Sequence, residues 1–196
     1  MTYLPDSTTL DQLFLTARSH NQWQDRPVPT ELLHRLYELL RQGPTSNNCC
    51  PARFVFLAST EAKHKLLPAL KGHNGEKVLH APVTVIVAWD SRFFEHLPEL
   101  FPLYDAAAVY RDDPQSTFVA ALRNSSLQGA YLMLAARALG LDCGPMSGFD
   151  ADRVDATFFP DGRWRSNFLC SLGYGDAEGL RPAGPRLPFE QVCQVL

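Results

Sequence analysis

Hydrophobic and polar positions alternate along this chain in blocks of different period. Residues 8–20, TTLDQLFLTARSH, place Leu10, Leu13, Phe14 and Ala17 on one face of a predicted helix that Ser7 or Thr8 can cap. Residues 30–42, TELLHRLYELLRQ, predict a second helix. Thr30 is its N-cap, Leu32, Leu33, Leu36, Leu39 and Leu40 form its stripe, and Gly43-Pro44 stops it. FVFLA, 54–58, reads as a short strand, and Thr60 then caps a helix to about Leu70. PVTVIVAW, 82–89, is β-branched and uninterrupted, the pattern of a central strand covered on both faces.

Residues 91–113 show no clean period, and Phe93, Phe94, Leu97, Leu100 and Phe101 there admit a lid or interface reading. Residues 114–140 predict one long helix, with Pro114 in its first turn and Gly140 at its stop. From Leu127 onward it is apolar nearly all round, the mark of a buried helix. Ser125 and Gly129, with Ser126 and Ala130, set small residues four apart, which permits a close crossing. DCGPMSGFD, 142–150, is turn-rich. Residues 151–158 predict a short helix, 164–176 a strand, and the tail RPAGPRLPFEQVCQVL is Pro-rich and then briefly helical. Strands and helices mix without a βαβ rhythm, repeat or linker, so the expectation is one α+β domain over residues 1–196.

Composition narrows the function classes. The chain has 196 residues, 45% hydrophobic and 20% charged, enough for a sizeable globular core. A net charge of −3, a pI near 6.0 and no basic block argue against nucleic acid or an anionic membrane as partner. The N-terminus lacks the basic start and apolar core of a signal peptide, and no apolar run approaches the ~18 residues of a membrane span. Five unevenly spaced cysteines argue against a disulfide framework and point to a reducing cytoplasm.

Candidate chemistry is a constellation rather than a single motif. No metal-ligand spacing, G-x-S-x-G elbow or G-x-G-x-x-G fingerprint occurs. In GPTSNNCCPARF, 43–54, Cys49 and Cys50 have no nearby His to act as base, so they read as packing thiols beside a polar loop. Arg18 and Ser19, with Asn21 beyond, carry donors suited to phosphate oxygens, and Arg186 is placed to converge on the same anion. Ser46, Asn47 and Asn48 offer groups that read a polar ring edge. GPMSG supplies glycines where backbone can approach a flat ligand.

These segments resemble the FMN-dependent nitroreductase family. ARSHNQW resembles its phosphate motif R-x-S-x-[RK]-x-[FYW], and GPTSNNCCPARF its loop P-S-x-x-N-x-Q-P-W. LQGAYLMLAARALGLDCGPMSGF resembles its flavin-facing helix and turn, and LGYGD with PRLPFEQV its C-terminal stretch. APVTVIVAWDSRFFEHLPELFP, ALRNSSLQGAYL and RALGLDCGPMSGFD further resemble the malonic-semialdehyde reductases of the pyrimidine-degradation (Rut) pathway.

The resemblance implies a nitroreductase-like fold: a central, mainly antiparallel sheet flanked by helices, a long buried helix, and a C-terminal extension reaching the partner of a homodimer with shared active sites. It implies bound FMN and NADH or NADPH as co-substrate. Hydride passes to flavin N5 and then to a small carbonyl, nitro or quinone substrate, here malonic semialdehyde giving 3-hydroxypropionate. A general NAD(P)H nitroreductase or quinone reductase, and a flavin-binding module with little turnover, are the alternatives. Arg18, Ser19, Asn21 and Arg186 are implied at the phosphate. Thr45, Ser46 and Asn48 are implied beside the ring and ribityl chain, with Pro145, Met146, Ser147 and Gly148 in the turn that presents the Gly148 N–H to N5. Arg123 and Arg111 are candidates for a substrate carboxylate. Ala17 and Asn21 stand where relatives carry cations, Cys50 where they carry Gln, Ala52 for Trp, and Ser147 for an acid.

Overall fold

The computed structural model describes residues 6–196. Four strands form one antiparallel sheet in the order β1-β2-β4-β3, with β1 at Ala52–Leu57, β2 at Val83–Asp90, β3 at Asp142–Met146 and β4 at Trp164–Gly173. The α+β class and the central, two-sided 82–89 strand agree with the pattern. β2 is an inner strand, and its six residues from Val83 to Ala88 are all buried. Alternation assigns the two faces. Val83, Val85 and Val87 meet Leu36, Leu40, Leu132 and Ala136 on one side, while Ile86 and Ala88 meet Leu66, Val78 and Val154 on the other. The first face is covered by helices α1, Thr30–Leu40, and α4, Pro114–Ala138. The second is covered by α2, Thr60–Leu66, α3, Asn74–His80, and α5, Ala151–Phe158. Among the described residues no helix is long and apolar enough to cross a membrane.

Several expectations need correction. The first helix does not run to residue 20. It spans Ser7–Leu10, capped by Asp6, widens into a π-helical turn over Asp11–Leu15, and stops at Thr16. Ser19 and His20 are drawn out to lie along β3, where the His20 N–H donates to the Cys143 carbonyl at 2.9 Å. Thr30 and Thr60 are first helical residues rather than caps; Pro29 precedes one helix, and Ser59 caps the other through the Ala62 N–H. Residues 142–146 form a strand, not a turn. β3 is at the sheet edge, where Pro145 costs no inner-ladder hydrogen bond. Helix α3 was not read in the pattern at all, because KGHNGEKVLHA has few apolar positions and a glycine.

The 91–113 segment is not an exposed lid. It folds into one-turn helices whose Phe93 and Leu97 are fully buried with Cys49, Ala121 and Tyr110. Nor is the second half of α4 buried all round, since Leu127 and Tyr131 face outward. Its small residues do allow a close crossing, and the partner is the sheet. A Cβ on Gly129 would sit 2.5 Å from Phe168 Cζ on β4. Gly129→Val is expected to destabilise the protein by about 1–3 kcal/mol, the scale of an overpacked core, as read by chemical denaturation. An unchanged midpoint would show that Phe168 can swing clear.

Candidate functional site

The predicted site residues fall into two groups on opposite edges of the sheet. The first lies along β3. Pairing of Ser19 with Cys143 sets the Arg18–Ser19 segment beside the strand that ends at Met146. Gly144 permits this approach, because a Cβ there would lie 2.4 Å from the His20 carbonyl oxygen. His20 is buried, with Nε2 3.4 Å from Asp142 Oδ1, and Asp142 Oδ2 accepts from the Gly175 N–H. This pins the N-terminal segment between β3 and the exit of β4. Arg18 donates to the carbonyl of Arg181 in the C-terminal tail.

Pro145, Met146, Ser147 and Gly148 lead out of β3 as expected. The Gly148 carbonyl is held twice, by the Lys71 N–H at 3.0 Å and by Asn74 Nδ2 at 2.9 Å. Its own N–H donates to no acceptor among the described residues. A Cβ at Gly148 would meet Asn74 Nδ2 at 2.7 Å, so a side chain there would push the Asn74 amide off the Gly148 carbonyl. A cleft of about 450 Å³ lies between the 21–23 segment and helix α3, lined by Asn21, Gln22, Trp23, His73, Glu76, Lys77, His80 and Asp176. Asn74 and Lys77 were missed in the sequence because their helix was missed. Lys77 places a cation in the cleft where Asn21 lacks one.

The second group is the loop before β1. Asn47, Asn48 and Cys50 have φ of 50°, 48° and 39°, the left-handed region that β-carbon sterics disfavour. Side chains hold the loop there. The Cys50 N–H donates to Thr45 Oγ1 at 3.1 Å, the Ser46 N–H to Asn124 Oδ1 at 2.9 Å, and Asn48 Nδ2 to the Leu100 carbonyl at 3.0 Å. Gln128 Oε1, one turn beyond Asn124, accepts from the Ala52 N–H at 2.9 Å. Asn124 and Gln128 are the sequence signal for this contact: two buried polar residues four apart in a mostly apolar helix. Ser46 and Arg123 share a cleft of about 300 Å³ with Tyr110, Gln115 and Ser116. Arg111, by contrast, pairs with Asp105 at 3.8 Å. Burial pushes the Cys49 thiol up to about 11, so it is neutral near pH 7 and packs as a small apolar group.

Two expected members stand apart. Arg186 bonds only to its neighbouring carbonyls at Gly184 and Pro185, so the chain does not bring it to Arg18. The tail from Arg181 to Leu196 is exposed throughout. Thr45, Ser46 and Asn48 do not meet the Arg18–Gly148 group either. β1 and β3 are the two outer strands, three strand spacings or about 14 Å apart.

Behind the loop lies a charge cluster absent from the sequence reading. Asp90, buried at the end of β2, accepts from Arg53 Nη2 at 2.6 Å and from Arg163 Nε and Nη2 at 2.9 and 3.0 Å. Arg163 also reaches Glu95 at 3.0 Å. Burial alone would raise the Asp90 carboxyl; hydrogen bonds from Arg163 and the Arg92 N–H, with the charges of Arg53 and Arg163, outweigh it and hold the carboxyl below its ordinary value.

The fold and these motifs coincide with a known family. The model of the Nitroreductase family matches residues 15–174, and the chain belongs to that family. A provisionally named NADH dehydrogenase/NAD(P)H nitroreductase of Ralstonia nicotianae is 58% identical over 191 residues, 97% of this chain and 98% of the relative. One of the same name from Burkholderia lata is 58% identical over 195 residues, covering both chains fully. Among solved structures, a nitroreductase-type protein of Bacillus subtilis superposes with TM-score 0.88 at 24% identity, covering 97% of this chain and all of the other. One from Exiguobacterium sibiricum, solved in complex with FMN, gives TM-score 0.86 at 22% identity with both chains covered fully.

The Asp90 cluster makes a pH-dependent prediction. Asp90→Asn is expected to cost about 3 kcal/mol at pH 7, because it strips a buried ion pair of one partner. The folded carboxyl titrates below the unfolded value of about 4, so the wild-type advantage is full above pH ~4 and disappears as pH falls through the folded value. Urea titrations of both proteins between pH 7 and 3 check this; a constant difference would contradict it.

Proposed function

We propose that this protein is an FMN-dependent NAD(P)H oxidoreductase whose active site is completed by a second copy of the chain. The observation that carries the reading is the β3 edge, where Arg18 and Ser19 run beside a strand whose exit, two residues past Met146, carries the unpartnered N–H of Gly148. The residues present suit the cofactor. Arg18, Ser19, Asn21 and Lys77 would hold an anionic phosphate or an electron-rich ring edge, and the Gly148 N–H would face N5. The names of the Ralstonia and Burkholderia relatives and the FMN complex of the Exiguobacterium protein support the same assignment. When bound, FMN supplies the hydride chemistry between a nicotinamide and a second substrate. The chain's own work is to anchor, orient and shield it.

The split between sheet edges supports a homodimer. The loop of Thr45, Ser46 and Asn48 would serve the partner's β3 edge. The exposed Leu187, Phe189 and Val192 of the tail would cover the partner and carry Arg186 to its phosphate site, and Phe14, Leu15, Leu127 and Tyr131 supply further apolar surface for the contact.

For substrate, the reading is malonic semialdehyde, reduced to 3-hydroxypropionate. Support comes from Arg123, which makes no ion pair among the described residues and opens on the cleft with Ser46. Its guanidinium suits a substrate carboxylate; Arg111 is engaged by Asp105. The relatives' names favour a second reading, a general nitroreductase.

The deciding experiment is the visible spectrum of protein incubated with FMN, then NADPH oxidation with malonic semialdehyde against a nitroarene. A colourless protein would end the flavin reading, and preference for the nitroarene would favour the second. Arg18→Ala is expected to weaken FMN binding by ~1.5–3 kcal/mol, the scale of charge-assisted hydrogen bonds, measured by flavin fluorescence quenching. Arg123→Ala is expected to raise KM for malonic semialdehyde more than for a nitroarene; equal effects would remove the carboxylate role.

A further inference from the structure

The geometry points to Arg53 as the positioning residue of the cofactor-side loop. This inference rests on the flavin reading for its functional consequence, but not for its structural one. Of three left-handed residues within four positions, Asn47 and Asn48 are of a type that visits this region, whereas Cys50 holds a conformation the chain would leave if unrestrained. Cys50, the last of them, is gripped on both sides. Its N–H donates to Thr45 Oγ1, and its carbonyl accepts from Arg53 Nη1 at 3.1 Å. The same Nη1 reaches the Ala52 carbonyl at 2.9 Å, while Nη2 is held by Asp90 at 2.6 Å.

Arg53 therefore bridges a strained peptide to a fixed anchor. Asp90 cannot drift, because Arg163 holds it through two further hydrogen bonds and the Arg92 N–H donates to it at 2.8 Å. The planar fork of a guanidinium is needed to serve the carbonyls and the carboxylate at once; an ammonium is a single point of charge. Thr45 lies at the other end of the grip, so holding Cys50 also sets the hydroxyl and backbone that face the proposed flavin. Removing the Arg53 side chain leaves Asp90 with Arg163, so the fold keeps its buried pair while the loop loses its restraint.

The test uses the full-length protein and reads the loop both without and with FMN. In Arg53→Met, amide hydrogen exchange across residues 44–52 is expected to quicken at least tenfold in the flavin-free protein while the rest of β1 and β2 keeps its protection. Affinity for FMN is expected to fall about tenfold. Arg53→Lys is expected to resemble Arg53→Met. In a Cys50→Gly background, where φ near 39° carries no β-carbon penalty, the same Arg53→Met change is expected to cost markedly less in both readouts. Should Arg53→Met not fold, Arg53→Gln serves with the same expectations.

Exchange raised evenly through the sheet, or an equal cost in the Cys50→Gly background, would make Arg53 a general stabiliser and overturn the inference. Failure of wild-type protein to bind FMN would overturn the flavin reading, with the exchange experiment still deciding the role of Arg53.

Discussion

A carboxylate removed almost wholly from water at the end of the central strand sets the terms for this end of the molecule. Asp90 is 1% exposed and must be met by cations that arrive in fixed geometry. One comes from β1 and one from the approach to β4, so a single residue ties three neighbouring strands where the inner ladder ends. Glu95 extends the tie into the 91–100 segment through Arg163. The loop of residues 45–50 is fastened to the same body by Asn48 on Leu100 and by Asn124 and Gln128 of the long helix. Its backbone is therefore set jointly by the loop, where Asn47 and Asn48 tolerate the left-handed region and Thr45 holds the Cys50 N–H, and by the whole end of the sheet.

At the other edge the constraint is closeness. Gly144, Gly148 and Gly175 are positions where a side chain would collide with the His20 carbonyl, Asn74 or the His20 ring. These contacts let three segments distant in sequence, 18–23, 71–77 and 142–148, share one small region. Lys77 enters by this route. The motif segment brings the uncharged Asn21 to the cleft, and the cation there is supplied by a neighbouring element. The cleft thus joins the Lys77 cation and the Asn21 and Gln22 amides with His73, Glu76, His80 and Asp176.

The fold was legible where periodicity was strong. Residues 30–42, 82–89 and 114–140 have long runs that only one element can satisfy, and all three formed. It was illegible where local composition misleads. DCGPMSGFD looks like a turn because Pro and Gly break strands in isolation, yet an edge strand tolerates both. KGHNGEKVLHA looks like a loop because only Val78 of its helix is buried. The phenylalanines and leucines of 91–101 had no assigned place because nothing in sequence shows Cys49 and the long helix beneath them.

The site divides in the same way. The motif residues Arg18, Ser19 and Gly148 could be named from order and spacing and are brought to one edge. Arg186 could be named but is not brought to Arg18, its guanidinium bonding to the Gly184 and Pro185 carbonyls. Asn74, Lys77, Arg53 and Asp90 carry no local signature, because their roles arise from pairing between distant elements.

The central claim is that the two edges act together only across two subunits. The most direct measurement mixes Arg18→Ala subunits with subunits carrying Asn48→Ala, each variant being impaired in FMN binding alone. Heterodimers place both substitutions in one site and leave the other intact, so the account predicts tight FMN binding at half of the heterodimer's sites. No recovery on mixing, with subunit exchange verified by mass, would mean that Arg18 and Asn48 serve the same chain's site and would contradict the account.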